Sequence, residues 1–253
     1  MSQQKYLLFG IVLILVLGIT PFLSTLNSLD NNNTLYQIST INYLSSGNFD
    51  GKFSTSSLKE YGDTGLGTFN GLDGEMIELD DVIYQIKSSG TVIRVNGPEM
   101  VPFAMVTKFT PDKVILVNRT MNYTELESYL NATVPSKNLV YSFKIMGHFN
   151  YIKARSPQEQ SKPYLNLTEA LKNQSIFNLN DVNGTIVGFW CPESASSINN
   201  NDYHFHFINI QKNSGGHVLD LNSGNVLIEI DYIPDIYLSS AQNKNFTKFN
   251  LNN

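Results

Sequence analysis

The chain has 253 residues, 42% of them hydrophobic, which is enough for one large domain or two small ones sharing a core and excludes a disordered tail. Its formal charge is -5, with acidic and basic residues interspersed and no Lys/Arg block, which argues against a nucleic-acid partner. The single cysteine, Cys191, excludes an internal disulfide framework and a cysteine-based zinc cage.

At the N-terminus Lys5 precedes the apolar run Tyr6–Ile19, and an Asn-rich polar stretch follows. That order of charged, apolar and polar regions is the order of a secretory signal. Residues 1–22 therefore read as a signal peptide or a retained membrane anchor. The expected location is outside the cytoplasm, secreted or held at the outer face of the cytoplasmic membrane. Residues 23–45 read as a polar linker without sustained periodicity, and the folded domain is expected over 46–253.

Glu75–Leu79 and Val82–Ile86 are short β-type runs around Asp80-Asp81; Thr91–Val95 and Phe103–Phe109 continue the pattern, with Gly and Pro between them. Together they predict a meander. Asn122 with Glu125, ahead of TELESYL, and Asn166 with Glu169, ahead of LTEALKNQSIF, have capping-box spacing and predict two short helices. Leu139–Ile152, Gly184–Trp190, Tyr203–Ile210, His217–Leu221 and Val226–Tyr232 are strand candidates by their β-branched and aromatic content. Strands outnumber helices, so the fold class is α+β: mixed or antiparallel sheets with a few short helices, in two closely packed subdomains.

Three of the four histidines fall within YHFHFINIQKNSGGHVLD, Tyr203 to Asp220. On a strand, His204 and His206 point to the same face. The turn-like KNSGG, Lys212 to Gly216, would return the chain so that His217 comes beside His206. Three neutral imidazoles with an open position form a catalytic zinc site, although Fe, Mn, Ni or Co would also bind them. The same alternation would also arise from exposed histidines over a core of Phe205 and Phe207. His148, in GHF, reads as an isolated strand histidine.

GDTGLGTFNGLDGEM (Gly62–Met76), PFAMVTKF (Pro102–Phe109), RSPQEQSKPYLNL (Arg155–Leu167), GTIVGFWCP (Gly184–Pro192) and the histidine stretch occur in this order. Together, over roughly Tyr36 to Tyr232, they resemble the alpha-acetolactate decarboxylase family. The resemblance implies that His204, His206 and His217 bind zinc, and that Thr68, Glu75 and Arg155 are active-site residues. It also implies decarboxylation of 2-acetolactate to acetoin through an enediolate stabilised by the metal, in a homodimer. Arg155 would hold the departing carboxylate or the oxyanion, Thr68 would orient the substrate, and Glu75 would be a candidate proton donor.

The family places a second glutamate near the C-terminus, whereas no acidic residue follows Asp235 here. Glu229, Asp231 or Asp235 would have to take that place from a shifted position, or Glu75 or water would deliver the proton, or activity and stereocontrol would be reduced. Two other readings compete. One is a cupin-like metal dioxygenase, which the lack of a carboxylate between Phe207 and Gly216 disfavours. The other is an exported metal-binding protein of the same fold without turnover.

Overall fold

The computed structural model describes residues 33–196, 198–199 and 202–240. The chain enters through β1 (Thr34–Ile38) and α1 (Ile41–Ser45). It then forms β2 (Phe53–Ser54), α2 (Thr55–Leu58), β3 (Thr64–Thr68), β4 (Glu75–Leu79), β5 (Val82–Ile86) and β6 (Val92–Arg94). After β7 (Met100–Val101) and β8 (Phe103–Thr107) come β9 (Lys113–Val117), β10 (Met121–Asn122) and α3 (Tyr123–Thr133). The remainder is β11 (Val140–Ser156), α4 (Leu167–Ala170), β12 (Ser175–Trp190), β13 (Tyr203–Asn209), β14 (Gly215–Ile233) and β15 (Asp235–Ser239).

One sheet has the order β15-β1-β8-β3-β4-β5-β6, antiparallel except for the parallel β1–β15 pair. In the other, β14, β11, β12 and β13 pair in turn, and β13 pairs back onto β14, so the long strands close into a ring. Register shifts between Gly147 and Tyr151 and between Lys153 and Ala154 bend β11 against β14, which the closure requires. Phe143, Phe149, Phe205, Phe207 and Ile228 fill one core, onto which α3 packs Leu126 and Leu130. Each such fully buried side chain stabilises the fold by about 1.5–3 kcal/mol. A Cβ at Gly188 would stand 2.1 Å from the Phe205 ring, so β12 can lie under that ring only with glycine there. A second core, with Leu66, Phe103 and Met105 from the first sheet and Val140, Phe189 and Ile233 from the second, joins the two sheets. The fold is α+β, as expected.

Four sequence expectations change. The presumed linker contributes β1 and α1 in its second half, because Leu35 and Tyr43 are buried there and β1 gains partners on both sides from β8 and β15. Residues 1–22 and 23–32, and with them the expected signal or anchor, lie outside the described residues. Among the described residues no helix is long and apolar enough to cross a membrane. The meander runs β3 to β6 only: the chain leaves β6 through Gly97-Pro98, pairs β7 with β2, and inserts β8 between β1 and β3. All five β8 residues are buried, which suits a central position.

The second helix is short, as expected, but covers only the first part of its LTEALKNQSIF stretch. Asn166 caps it through the Glu169 amide, but it stops at Ala170, and after one 3-10 turn the Ser-Ile-Phe segment starts β12, paired with β11. Finally, His217–Leu221 and Val226–Tyr232 are parts of one strand, β14, rather than two. The capping box at Asn122 and Glu125 is complete.

Candidate active site

Three cross-strand neighbours lay out one wall of the site. His206 on β13 pairs with His217 on β14, and His217 pairs on its other side with Arg155 on β11. His204, two residues before His206, shares its face, while Phe205 and Phe207 point into the ring core. Asn209 closes the β13–β14 turn that sets this register: its Oδ1 accepts from the Asn213 and Ser214 amides at 3.0 and 3.1 Å.

The facing sheet supplies the opposite wall through the β3–β4 turn. Thr68 pairs with Glu75, and the Thr68 hydroxyl donates to the Gly74 carbonyl at 2.7 Å. Gly74 has φ 84°, and a Cβ there would stand 2.3 Å from the Ile86 carbonyl oxygen, so the turn requires glycine. The turn thereby sends Glu75 toward the histidines, and the next residue, Met76, accepts at its carbonyl from His206 Nδ1 at 2.7 Å.

That bond places the hydrogen on Nδ1 and leaves His206 Nε2 as a lone-pair donor. His206 Nε2 lies 3.2 Å from His204 Nε2 and 3.3 Å from His217 Nδ1. One ligand atom from each of the three histidines falls within 4.8 Å of the others. Burial, reinforced by Arg155, pushes His204 down to about 3 and His217 well below the usual imidazole range. Burial also holds His206 well below that range. Three neutral imidazoles with converging lone pairs, one of them fixed as a tautomer by a backbone carbonyl, fit a nitrogen-ligated divalent metal.

Glu75 bridges the histidine cluster and the arginine: Oε1 accepts from Arg155 Nη1 at 3.0 Å, and Oε2 is 3.5 Å from His206 Nε2. Burial raises the Glu75 carboxyl to about 7, with Arg155 opposing the rise. Thr68, Glu75, Arg155, His204 and His217 line one cavity of about 390 Å³, with His206 buried behind it. All six residues singled out in the sequence therefore meet in one place.

His148 is elsewhere on β11, with Nε2 2.7 Å from Asp181 Oδ1. None of the alternatives for a second acid lines the cavity. Asp235 is exposed, Glu229 sits opposite Lys144, and Asp231 is buried and accepts from the Thr110 amide. Sequence reasoning missed Tyr123 and Asp202, which do line it. Neither has a spacing that points to the histidines, and only the packing of α3 and the chain entering β13 brings them there.

Comparison with known proteins agrees with this geometry. A family model described as alpha-acetolactate decarboxylase matches residues 35–253. The chain is 45% identical over 204 residues to an alpha-acetolactate decarboxylase of Methanosarcina mazei, covering 80% of this chain and 71% of the relative. It is 40% identical over 219 residues to one from Bacillus subtilis, covering 87% of this chain and 86% of that one. The crystal structure of alpha-acetolactate decarboxylase from Bacillus subtilis superposes with a TM-score of 0.85 at 40% identity, covering 87% of this chain and 94% of that one.

Proposed function

The chain belongs to the alpha-acetolactate decarboxylase family and is a carboxy-lyase, and from that premise we propose that His204, His206 and His217 hold zinc, Glu75 delivers the proton, and Arg155 and Thr68 orient 2-acetolactate. The observation that carries the proposal is the convergence of three clustered imidazoles with the buried, Arg155-paired Glu75 carboxyl at one cavity. Zinc bound there would supply a Lewis acid for the negative charge that decarboxylation leaves.

In 2-acetolactate the carboxylate is β to a ketone, and the carbon between them bears a hydroxyl. Breaking the bond to the carboxyl carbon releases carbon dioxide and leaves its electron pair as an enediolate, which takes one proton at carbon to give acetoin. Arg155 keeps Nη1 on Glu75, and its other N–H groups are available for the oxyanion as charge-assisted donors. Glu75, raised to about 7, carries a proton in a large share of molecules near neutrality and can pass it to the carbanion, then regain one from water. The Thr68 hydrogen is engaged by Gly74, so toward substrate Thr68 serves as an acceptor, suited to the substrate hydroxyl. Lys5 and the apolar run after it support export, which immunoblotting of culture medium, membrane and cytoplasm tests.

The decisive assay supplies zinc-loaded protein with racemic 2-acetolactate and follows acetoin beside a His204→Ala/His206→Ala control. Acetoin from the wild type and none above the spontaneous background from the control is the expected result. Bound zinc without acetoin from the wild type would overturn the assignment of chemistry to Glu75 and Arg155.

A further inference from the structure

We infer that Tyr123 determines specificity, its phenolic hydroxyl donating a hydrogen bond to the substrate's carboxylate. The inference rests on the decarboxylase reading above and adds a residue to it.

Tyr123 lines the cavity that Arg155, His204 and His217 share. It is the first residue of α3, between Asn122 and Glu125, whose two reciprocal capping-box hydrogen bonds fix the turn that carries it. Its ring packs edge-on against Phe205, with centroids 6.1 Å apart and an interplanar angle of 66°. Phe205 sits between His204 and His206 on β13, so the strand that positions the histidines also positions the tyrosine.

Two other hydroxyls of the cavity, those of Thr68 and Tyr203, are engaged, whereas that of Ser45 on α1 is not, among the described residues. Thr68 donates to Gly74, and the Tyr203 hydroxyl lies 3.3 Å from Asn131 Oδ1. The Tyr123 hydroxyl has no hydrogen-bond partner among the described residues. Burial first, then Glu127, Asp202 and Asp220, push its ionisation upward, so it remains a donor at physiological pH.

The substrate's chemistry selects the group it meets. The ketone and hydroxyl oxygens of 2-acetolactate are vicinal and suit the metal-binding group, which leaves the carboxylate for another partner. That carboxylate loses its charge as carbon dioxide departs. A cation clamped on it would stabilise the ground state more than the transition state, whereas a neutral donor orients it with less penalty. Arg155 keeps Nη1 on Glu75 and its other N–H groups serve the oxyanion, which leaves the carboxylate to Tyr123.

The test is steady-state kinetics of the full-length, zinc-loaded wild type and Tyr123→Phe, a change that keeps the ring packed on Phe205. Racemic 2-acetolactate is the substrate, and acetoin, which lacks the carboxylate, is the inhibitor. Tyr123→Phe is expected to raise KM about tenfold or more, with kcat held within about threefold and Ki for acetoin within about twofold. Two results would overturn the inference: an unchanged KM, whatever happens to kcat, or KM and Ki rising together as in a loosened cavity. A wild type that makes no acetoin sinks the decarboxylase reading, and this inference with it.

Discussion

The carboxyl of Glu75 and the guanidinium of Arg155, 80 positions apart in the chain, meet at 3.0 Å between the two sheets. Both side chains are largely withdrawn from water, 7% and 15% exposed, so removing either leaves the other poorly compensated. Glu75→Gln should retain zinc but lower kcat by about 10²-fold or more, because the amide cannot deliver a proton. Arg155→Met should lower the melting temperature, and the double variant should recover part of that loss, with a coupling of about 1–3 kcal/mol. Strictly additive unfolding free energies in denaturant titrations would show that the pair is not coupled.

Bound metal should depend on the three clustered histidines and not on the fourth. His204→Ala, His206→Ala and His217→Ala are each expected to reduce zinc stoichiometry, read by elemental analysis after gel filtration, and to abolish acetoin formation. His148→Ala, which loses only the partly exposed contact with Asp181, should change neither. Dialysis against a chelator should lower the melting temperature, and zinc should restore it, since a ligand that binds only the folded state stabilises it by mass action.

Gly74→Ala tests whether the β3–β4 turn positions the acid. The substitution meets both the positive φ and the Ile86 carbonyl, and should cost about 2 kcal/mol or more together with most of the activity. Gly90→Ala is the control: it has φ 86°, but its Cβ would approach only the Phe177 ring, at 3.4 Å. It should lose stability while keeping kcat. Equal activity in the two variants, measured below both melting temperatures, would dissociate the turn from catalysis.

Glu78, on β4 but pointing away from the site, is fully buried, and neither carboxyl oxygen has a hydrogen-bond partner among the described residues. Burial first, then Asp81 and Asp63 against Lys59, raises it from 4.5 to about 8. The folded state therefore keeps this proton after the unfolded chain has released it. The stability linked to it is complete below about pH 4.5, declines as pH rises, and is gone above about pH 8. Glu78→Gln cannot titrate, so its stability relative to the wild type should improve between about pH 5 and pH 8.5, by something on the order of 2 kcal/mol. A pH-independent difference in melting temperature would count against a buried, neutral Glu78.

The sequence by itself determined what short-range periodicity encodes. Alternation on a strand put His204 and His206 on one face, Asn122 and Glu125 announced the start of α3, and the KNSGG turn implied that His217 would return beside them. The family blocks further marked Thr68, Glu75 and Arg155. Other features were not legible, because they depend on partners distant in the chain. TLYQI resembles a linker until β8 and β15 cover it, and FAMVT extends a meander until its burial on both faces draws it between β1 and β3. The contacts of Glu75 with Arg155 and of Met76 with His206 cross from one sheet to the other, and Tyr123 reaches the cavity only because α3 packs on the strand that carries the histidines. Local spacing decides which way a side chain faces, whereas only the closing of the ring and the stacking of two sheets decide what it faces.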